Sequence, residues 1–386
     1  MTALVHWTEA GEARSARWRS ESGAPPPKRL QIADDTLSAD AAFRLTSEGT
    51  ALLWRGDFQN ARQLLQAIAR RIDKPRKPKK NPAVDAPRDV FNLHRQAQSQ
   101  RARTLSMLLL QFDGAHHLAL RRAPEVMLAC AEVYGAGDAA QGSYLASMRE
   151  LLGLISAHEW RKKGVAIAAL GGAQIHPHYG VFAPLRSEYL ALVAEAPLPT
   201  ALKADSTAFD IGTGTGVLAA ILAQRGVQRV LATDQDPRAL VCARENLQRL
   251  GLTGRVELHE VNLFPDGRAP LIVCNPPWVP ARPSSPMEHA VYDPDSRMLR
   301  GFLDGLADHL APGGEGWLIL SDLAEHLGMR PRTDLLAWVE AAGLQVLSRK
   351  DTRPDHPKVR DATDALHAAR AAEITSLWRL GVRGAP

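Results

Sequence analysis

The sequence predicts an α/β protein: a mostly parallel, seven-stranded sheet in the carboxyl-terminal half, preceded by a β-hairpin and a mixed, largely helical amino-terminal domain. Three observations carry this expectation. After Pro199, short β-rich runs alternate with helical ones, the order that builds a parallel sheet covered on both faces. A glycine-rich turn, Gly212-Thr213-Gly214-Thr215-Gly216, stands where the first of those strands gives way to a helix. Further on, the apolar run Leu271-Ile272-Val273-Cys274 leads straight into Asn275-Pro276-Pro277-Trp278.

Residues 1–40 mix Ala, Ser, Pro and charge without sustained periodicity, and Ala24-Pro25-Pro26-Pro27-Lys28 cannot continue a helix, so a loose start is expected. Phe43 to Trp54 reads as a strand pair around Ser47-Glu48-Gly49. Asp57 then caps a helix with Phe58, Leu64, Leu65, Ile68 and Ile72 on one face. Residues 74–82, rich in lysine and proline, form a basic linker. A polar helix from Asn92 to Arg103, a strand from Leu105 to Phe112 and an amphipathic helix from Ser143 to Lys163 follow. Residues 1–164 are thus set apart as an amino-terminal, substrate-recognition domain.

Val165 to Leu170 and Gln174 to Phe182 flank Gly171-Gly172 and suit a β-hairpin whose tight turn needs positive φ. With this hairpin begins the second domain, residues 165–386. Its strands are expected at Thr207–Ile211, Arg229–Thr233, Val256–Val261, Leu271–Cys274, Gly316–Ser321, Leu344–Arg349 and Glu373–Leu380, with helices at Val217–Gln224 and Pro237–Leu250.

A chain of 386 residues with 45% hydrophobic content fills a real core. The opening residues carry charge, and the strongest apolar cluster, Leu105 to Leu110, is too short to cross a bilayer, so neither a signal peptide nor a membrane span is expected. Cys130, Cys242 and Cys274 lie far apart, which speaks against disulfides and a cysteine zinc site and fits a reducing cytoplasm. No metal is expected at His176 and His178, which lack a neighbouring carboxylate or cysteine cluster in sequence, or at His116-His117. Residues 1–90 hold 16 Lys plus Arg against 11 Asp plus Glu, which accounts for the whole net charge of +5. A nucleic-acid substrate is allowed by that balance and not demanded.

Glycines in the turn after Phe209-Asp210-Ile211 let the backbone pass close to a nucleotide without a Cβ clash. The next strand ends at Asp234, whose carboxylate suits the hydroxyls of a ribose. The spacing here is G-x-G-x-G, with Val217 next, rather than the G-x-G-x-x-G of dinucleotide enzymes.

Asn275-Pro276-Pro277-Trp278 is placed at the carboxyl edge of the sheet, in the crevice where open α/β sheets bind ligands. A planar amide or aryl NH₂ is a poor nucleophile while its lone pair is delocalised. The Asn275 side-chain oxygen and the Pro276 carbonyl offer acceptors for its two hydrogens, which holds the nitrogen closer to sp³. Pro277 stiffens the loop, and Trp278 is expected to stack on the flat acceptor.

Together these motifs resemble the class I, Rossmann-like, S-adenosylmethionine-dependent methyltransferases, and among them the group with NPPY-type motifs that methylates glutamine side chains or exocyclic base nitrogens. The resemblance covers about Val165 to Leu380. It implies that Asp210, Gly212, Gly214 and Gly216, with Thr213 in the same turn, hold the methionine part of S-adenosylmethionine. It further implies that Asp234 holds the ribose and that Asn262 and Leu263 border the adenine. Tyr179-Gly180-Val181-Phe182-Ala183-Pro184-Leu185-Arg186-Ser187-Glu188 is similar to the segment before this domain in the release-factor and ribosomal-protein glutamine methyltransferases. Here Leu185 interrupts the Pro-Arg step, Trp278 replaces Tyr, and Asn262 stands where Asp is usual.

The acceptor stays open at this point. A glutamine of a release factor or ribosomal protein is favoured by the hairpin segment, an adenine N6 or guanine N2 of structured ribosomal or transfer RNA by the basic amino-terminal segment. A small molecule remains a third choice, and a silent binding module is disfavoured by the intact motifs.

Overall fold

A computed structural model of the chain describes residues 3–74, 86–186, 188–203, 206–283, 288, 290–355 and 357–384. Lys74 is the only residue of the basic linker among them; the remainder of that stretch, 75–82, lies outside the described residues. The chain forms two compact units, Met1–Ala83 with Asn92–Glu159, and Val84–Phe91 with Trp160–Pro386.

The first unit contains β1 (Leu4–Glu9), β2 (Glu12–Trp18), β3 (Arg29–Ala33), α1 (Ala39–Ser47), β4 (Thr50–Trp54) and α2 (Phe58–Asp73). These are followed by α3 (Pro87–Leu105), whose start belongs to the second unit, then β5 (Leu108–Phe112), α4 (Met127–Tyr134), β6 (Tyr144–Ser147) and most of α5 (Met148–Lys163). Its six strands form one mixed sheet in the order β1-β2-β6-β5-β4-β3.

Three expectations fail here. The supposedly loose start is a hairpin: Val5 and Trp7 point into the core, and the turn is closed by Ala10 (φ 51°) and Gly11 (φ 80°) between the partners Glu9 and Glu12. Two successive positive-φ residues make the twisted turn that hairpins favour, but Ala-Gly does not announce it as Asn-Gly does. The expected strand pair over 43–54 is half helix. Ser38 caps α1 by accepting from the Ala41 N–H, and Gly49 (φ 81°) follows the helix end instead of turning a hairpin. The helix expected from Ser143 begins only at Met148, because Tyr144–Ser147 are fully committed to the sheet as β6. Asp57 does cap α2, accepting from the N–H groups of Gln59 and Asn60.

In the second unit β7 (Val165–Ala166) and β8 (Gln174–Ile175) make a short antiparallel pair, joined through Gly171 (φ 67°) and Gly172 (φ 88°). Then come α6 (Glu188–Glu195), β9 (Thr207–Ile211), α7 (Val217–Gln224), β10 (Arg229–Asp234), α8 (Pro237–Arg249), β11 (Val256–Glu260) and β12 (Ala269–Cys274). The chain finishes with α9 (Arg297–His309), β13 (Leu310–Ser321), α10 (Leu323–His326), α11 (Arg332–Ala341), β14 (Leu344–Thr352), α12 (Pro357–Arg360), α13 (His367–Ala372) and β15 (Thr375–Val382).

Seven of these strands form a sheet in the order β11-β10-β9-β12-β13-β15-β14, and β15 runs antiparallel to both of its neighbours while the other contacts are parallel. Successive residues of the central strands alternate between two cores: Ala208, Leu271 and Val273 pack on one face, Phe209, Ile272 and Cys274 on the other. Strands buried on both faces must be apolar throughout, which is why β12 has no exposed residue. The order reverses between β9 and β12, and their last residues, Ile211 and Cys274, are register partners. Both motifs therefore leave the sheet side by side at its topological switch point. No helix among the described residues is long and apolar enough to cross a membrane.

Candidate active site at the carboxyl edge of the sheet

The glycine turn is built by its own neighbourhood. Gly212, Gly214 and Gly216 all take positive φ (71°, 54° and 81°), which side-chain-bearing residues rarely adopt. A Cβ on Gly216 would lie 3.3 Å from the Ala243 Cα, so this glycine also allows the close approach of α8. A Cβ on Gly214 would meet nothing within 4 Å, leaving open space above the middle of the turn.

Asp210, fully buried at the end of β9, accepts from Thr213 Oγ1 (2.7 Å) and from the Ala219 N–H (3.0 Å), both on Oδ2. It thereby caps α7 from the preceding strand, a task its N-cap residue Gly216 has no side chain to perform. Thr213 is itself buried and donates its N–H to the Thr233 carbonyl. Burial lifts the Asp210 carboxyl to about 6, against the two hydrogen bonds that lower it, and the nearby charge of Asp234 adds to the rise. Its other oxygen, Oδ1, is buried with no hydrogen-bond partner among the described residues.

Asp234 ends β10. Its Oδ2 accepts from the Gly214 N–H (3.0 Å) and its Oδ1 from the Asp236 N–H (2.9 Å), while burial raises its pKa. Beyond β11, Asn262 is exposed and Leu263 takes φ 66°, an uncommon conformation for a branched side chain. The Leu263 carbonyl accepts from Thr233 Oγ1 (2.6 Å), which ties this loop to β10.

The loop of residues 275–278 is held from far away in sequence. Trp278 donates its indole N–H to Asn275 Oδ1 (2.9 Å). The Arg186 guanidinium lies 4.9 Å over the Trp278 ring, and Tyr189 meets the ring edge-on at 6.4 Å. Arg186 is held by Glu188 (2.8 Å) and by the buried Glu373 (3.1 Å), which also accepts from Ser321 Oγ (2.6 Å). Buried Arg330 donates to the Trp278 carbonyl (3.2 Å) and to Ser296 Oγ (3.2 Å). Trp278 packs against the apolar clusters of both sheet faces, and Pro276 beside it is buried. The Trp278 ring, expected to stack on the acceptor, is half-buried among these neighbours.

Tyr189, Met298, Arg330 and Glu373 had no local signature in sequence, and Arg186, although it lies in the family-like segment before the domain, had no role assigned to it. Met298 opens α9, and its Cε would stand 2.5 Å from a Cβ on Gly212, so it borders the glycine turn. Asp293 fixes this end of α9 by accepting from the N–H groups of Met298 and Leu299. The histidines belong elsewhere: His178 pairs with Glu245 (3.0 Å), and His176 Nδ1 meets the Arg161 carbonyl. His116 is buried between the Tyr144 hydroxyl and the Gly135 carbonyl.

Residues 173–334 match the family model described as Methyltransferase small domain. Over this segment the chain has the class I fold of S-adenosylmethionine-dependent methyltransferases. Among curated relatives, the release factor glutamine methyltransferase of Cereibacter sphaeroides is 33% identical over 180 residues, 43% of this chain and 59% of its own. That of Mycolicibacterium smegmatis is 38% identical over 149 residues, 37% of this chain and 51% of its own. The ribosomal protein L11 methyltransferase of Pelotomaculum thermopropionicum is 35% identical over 148 residues, 38% of this chain and 40% of its own. The chain thus spans about half the length of these relatives.

The residues present fit the cofactor. S-adenosylmethionine is cationic, and the site offers buried Asp210 with an orphaned oxygen, a second carboxylate at Asp234 and no cation among the groups acting on Asp210. A buried, unpaired acceptor is costly unless a ligand donor completes it.

Proposed function

We propose that this chain transfers a methyl group from S-adenosylmethionine to the side-chain amide nitrogen of a glutamine in a protein of the translation machinery, in the cytoplasm. In this reading Asp210, Gly212, Thr213, Gly214 and Gly216 hold the methionine part of the cofactor, Asp234 the ribose, and Asn262 with Leu263 the adenine. Residues 1–164 serve to recognise the protein substrate. Bound there, S-adenosylmethionine would supply an electrophilic methyl, the electron pair of the broken S–C bond staying on sulfur.

The protein's part is to make an amide nitrogen nucleophilic. Asn275 Oδ1 and the Pro276 carbonyl accept its two hydrogens and turn its lone pair out of conjugation. Both hydrogen bonds strengthen as the nitrogen gains positive charge, so they favour the transition state over the ground state. The proton becomes acidic only on attack and leaves to water, so no strong dedicated base is required.

The observation that carries this choice of acceptor is the covering of Trp278. A flipped nucleobase needs an open aromatic face to stack on. Here the Arg186 guanidinium lies over the ring, the Tyr189 ring stands perpendicular to it, and residues of both cores pack against it. The Asn275 side-chain oxygen and the Pro276 carbonyl then suit a side-chain amide, which needs two acceptors and no stacking platform. The relatives named for glutamine methylation support the same choice.

The test is transfer of labelled methyl from S-adenosylmethionine into a lysate of cells lacking this protein. Label that survives RNase, is lost to protease and is released as volatile methylamine on acid hydrolysis supports the proposal, since an N-methyl amide hydrolyses to methylamine. Label retained on an amino acid after hydrolysis moves the acceptor to a protein amine, and label lost to RNase moves it to a base.

A further inference from the structure

We infer that Trp278 is a positioning residue for this reaction: its indole N–H fixes the Asn275 amide so that the oxygen, and not the NH₂, is presented to the acceptor. The inference deepens the amide-methylation reading and rests on it.

An Asn side chain is nearly symmetric in shape, and its two ends have opposite hydrogen-bonding character. In the acceptor role, a half-turn about its last bond replaces an attracting oxygen with a repelling N–H pair. Something must therefore choose the orientation. An indole nitrogen is a donor only, so the Asn275 atom 2.9 Å from Trp278 Nε1 has to be the oxygen. One lone pair of Oδ1 is taken by that bond, and the second stays available for an acceptor N–H. A tyrosine hydroxyl both donates and accepts and would leave the choice open; a phenylalanine would make no bond at all.

For Trp278 to hold Asn275, it must itself be held. Arg186 over its ring, braced by Glu188 and Glu373, fixes the ring plane, and buried Arg330 fixes the backbone through the Trp278 carbonyl. The orientation of one amide is thus passed down from residues as distant as Glu373.

The test is a double-mutant cycle with a direct readout of the bond. W278F keeps a ring and removes the donor; it is expected to lower kcat about 10- to 100-fold and to leave the dissociation constant for S-adenosylmethionine within about twofold. N275D presents an oxygen in either orientation, so the loss caused by W278F should shrink to less than about threefold in that background. An equal loss in both backgrounds would mean that Trp278 only packs, and the inference would fall. The Trp278 indole proton, assigned as the NMR resonance missing from W278F, should be slow to exchange and should shift in N275A. A resonance indifferent to N275A would also overturn it, and this readout decides the matter if N275D has no turnover. Because it needs neither cofactor nor substrate, a positive NMR result with no amide methylation would sink the acceptor reading and leave the bond standing.

Discussion

The glycine turn and the Asn-Pro-Pro-Trp loop leave adjacent strands at the same edge of the sheet, yet they are held in place by different means. The side-chain bonds that shape the turn are local: Asp210 bonds Thr213 and Ala219, and Gly214 bonds Asp234, all within 24 residues of one another in sequence. The loop is held by Arg186 and Tyr189 from before the sheet, Arg330 from beyond β13, and Glu373 near the chain's end. Under the proposed function, the cofactor is met by a largely local device, whereas the part assigned to the acceptor depends on contacts the whole unit must assemble. The two halves should consequently fail separately.

The largest effects should show that separation most plainly. N275A is expected to cut methyl transfer about 100-fold or more while S-adenosylmethionine binds within about twofold of the wild type, measured by calorimetry alongside turnover. D234A should do the reverse, weakening the cofactor about 10- to 100-fold and sparing kcat at saturating cofactor. If N275A lost cofactor and activity together, the loop would be part of the cofactor pocket and the comparison would collapse.

The same difference explains what could be read in the sequence. Strands β9, β10 and β12 and both motifs were legible because period, turn glycines and capping carboxylates act over a few residues. The contacts of Trp278 were not, since the Arg186–Glu373 pair joins positions 187 residues apart and nothing near either residue in sequence points to the other. The amino-terminal sheet was missed for a local reason: Ala10-Gly11 and Gly49 are turn signals that admit two interpretations, and only packing of Val5, Trp7 and Leu53 into one core chooses between them.

Two glycines of one turn offer an intermediate effect. G216A forces a Cβ against the Ala243 backbone at a positive φ and should destabilise the unit by about 1–3 kcal/mol, read from chemical denaturation. G214A meets open space, so it should cost only about 1 kcal/mol, chiefly for its φ, and show itself mainly as weakened cofactor binding. Equal losses of stability would mean that the turn's glycines serve conformation alone and that the open space above Gly214 is not where the cofactor passes.

The smallest effect concerns pH and belongs to the turn alone. Asp210 is raised to about 6 from an ordinary value of 3.8, so protonation favours the folded state: this contribution is complete below pH 3.8 and is lost as pH rises through about 6. Cofactor binding should run the opposite way, because a cation at the orphaned Oδ1 requires the carboxylate. Affinity for S-adenosylmethionine is therefore expected to rise up to about tenfold between pH 5 and 7, as the ionised fraction of such a group grows. D210N keeps an acceptor for Thr213 and Ala219 but places an NH₂ where the cation should lie, so its binding should be weaker and flat over that range. A wild-type affinity that does not change with pH would assign the orphaned oxygen to some other partner and remove Asp210 from the cofactor's charge balance.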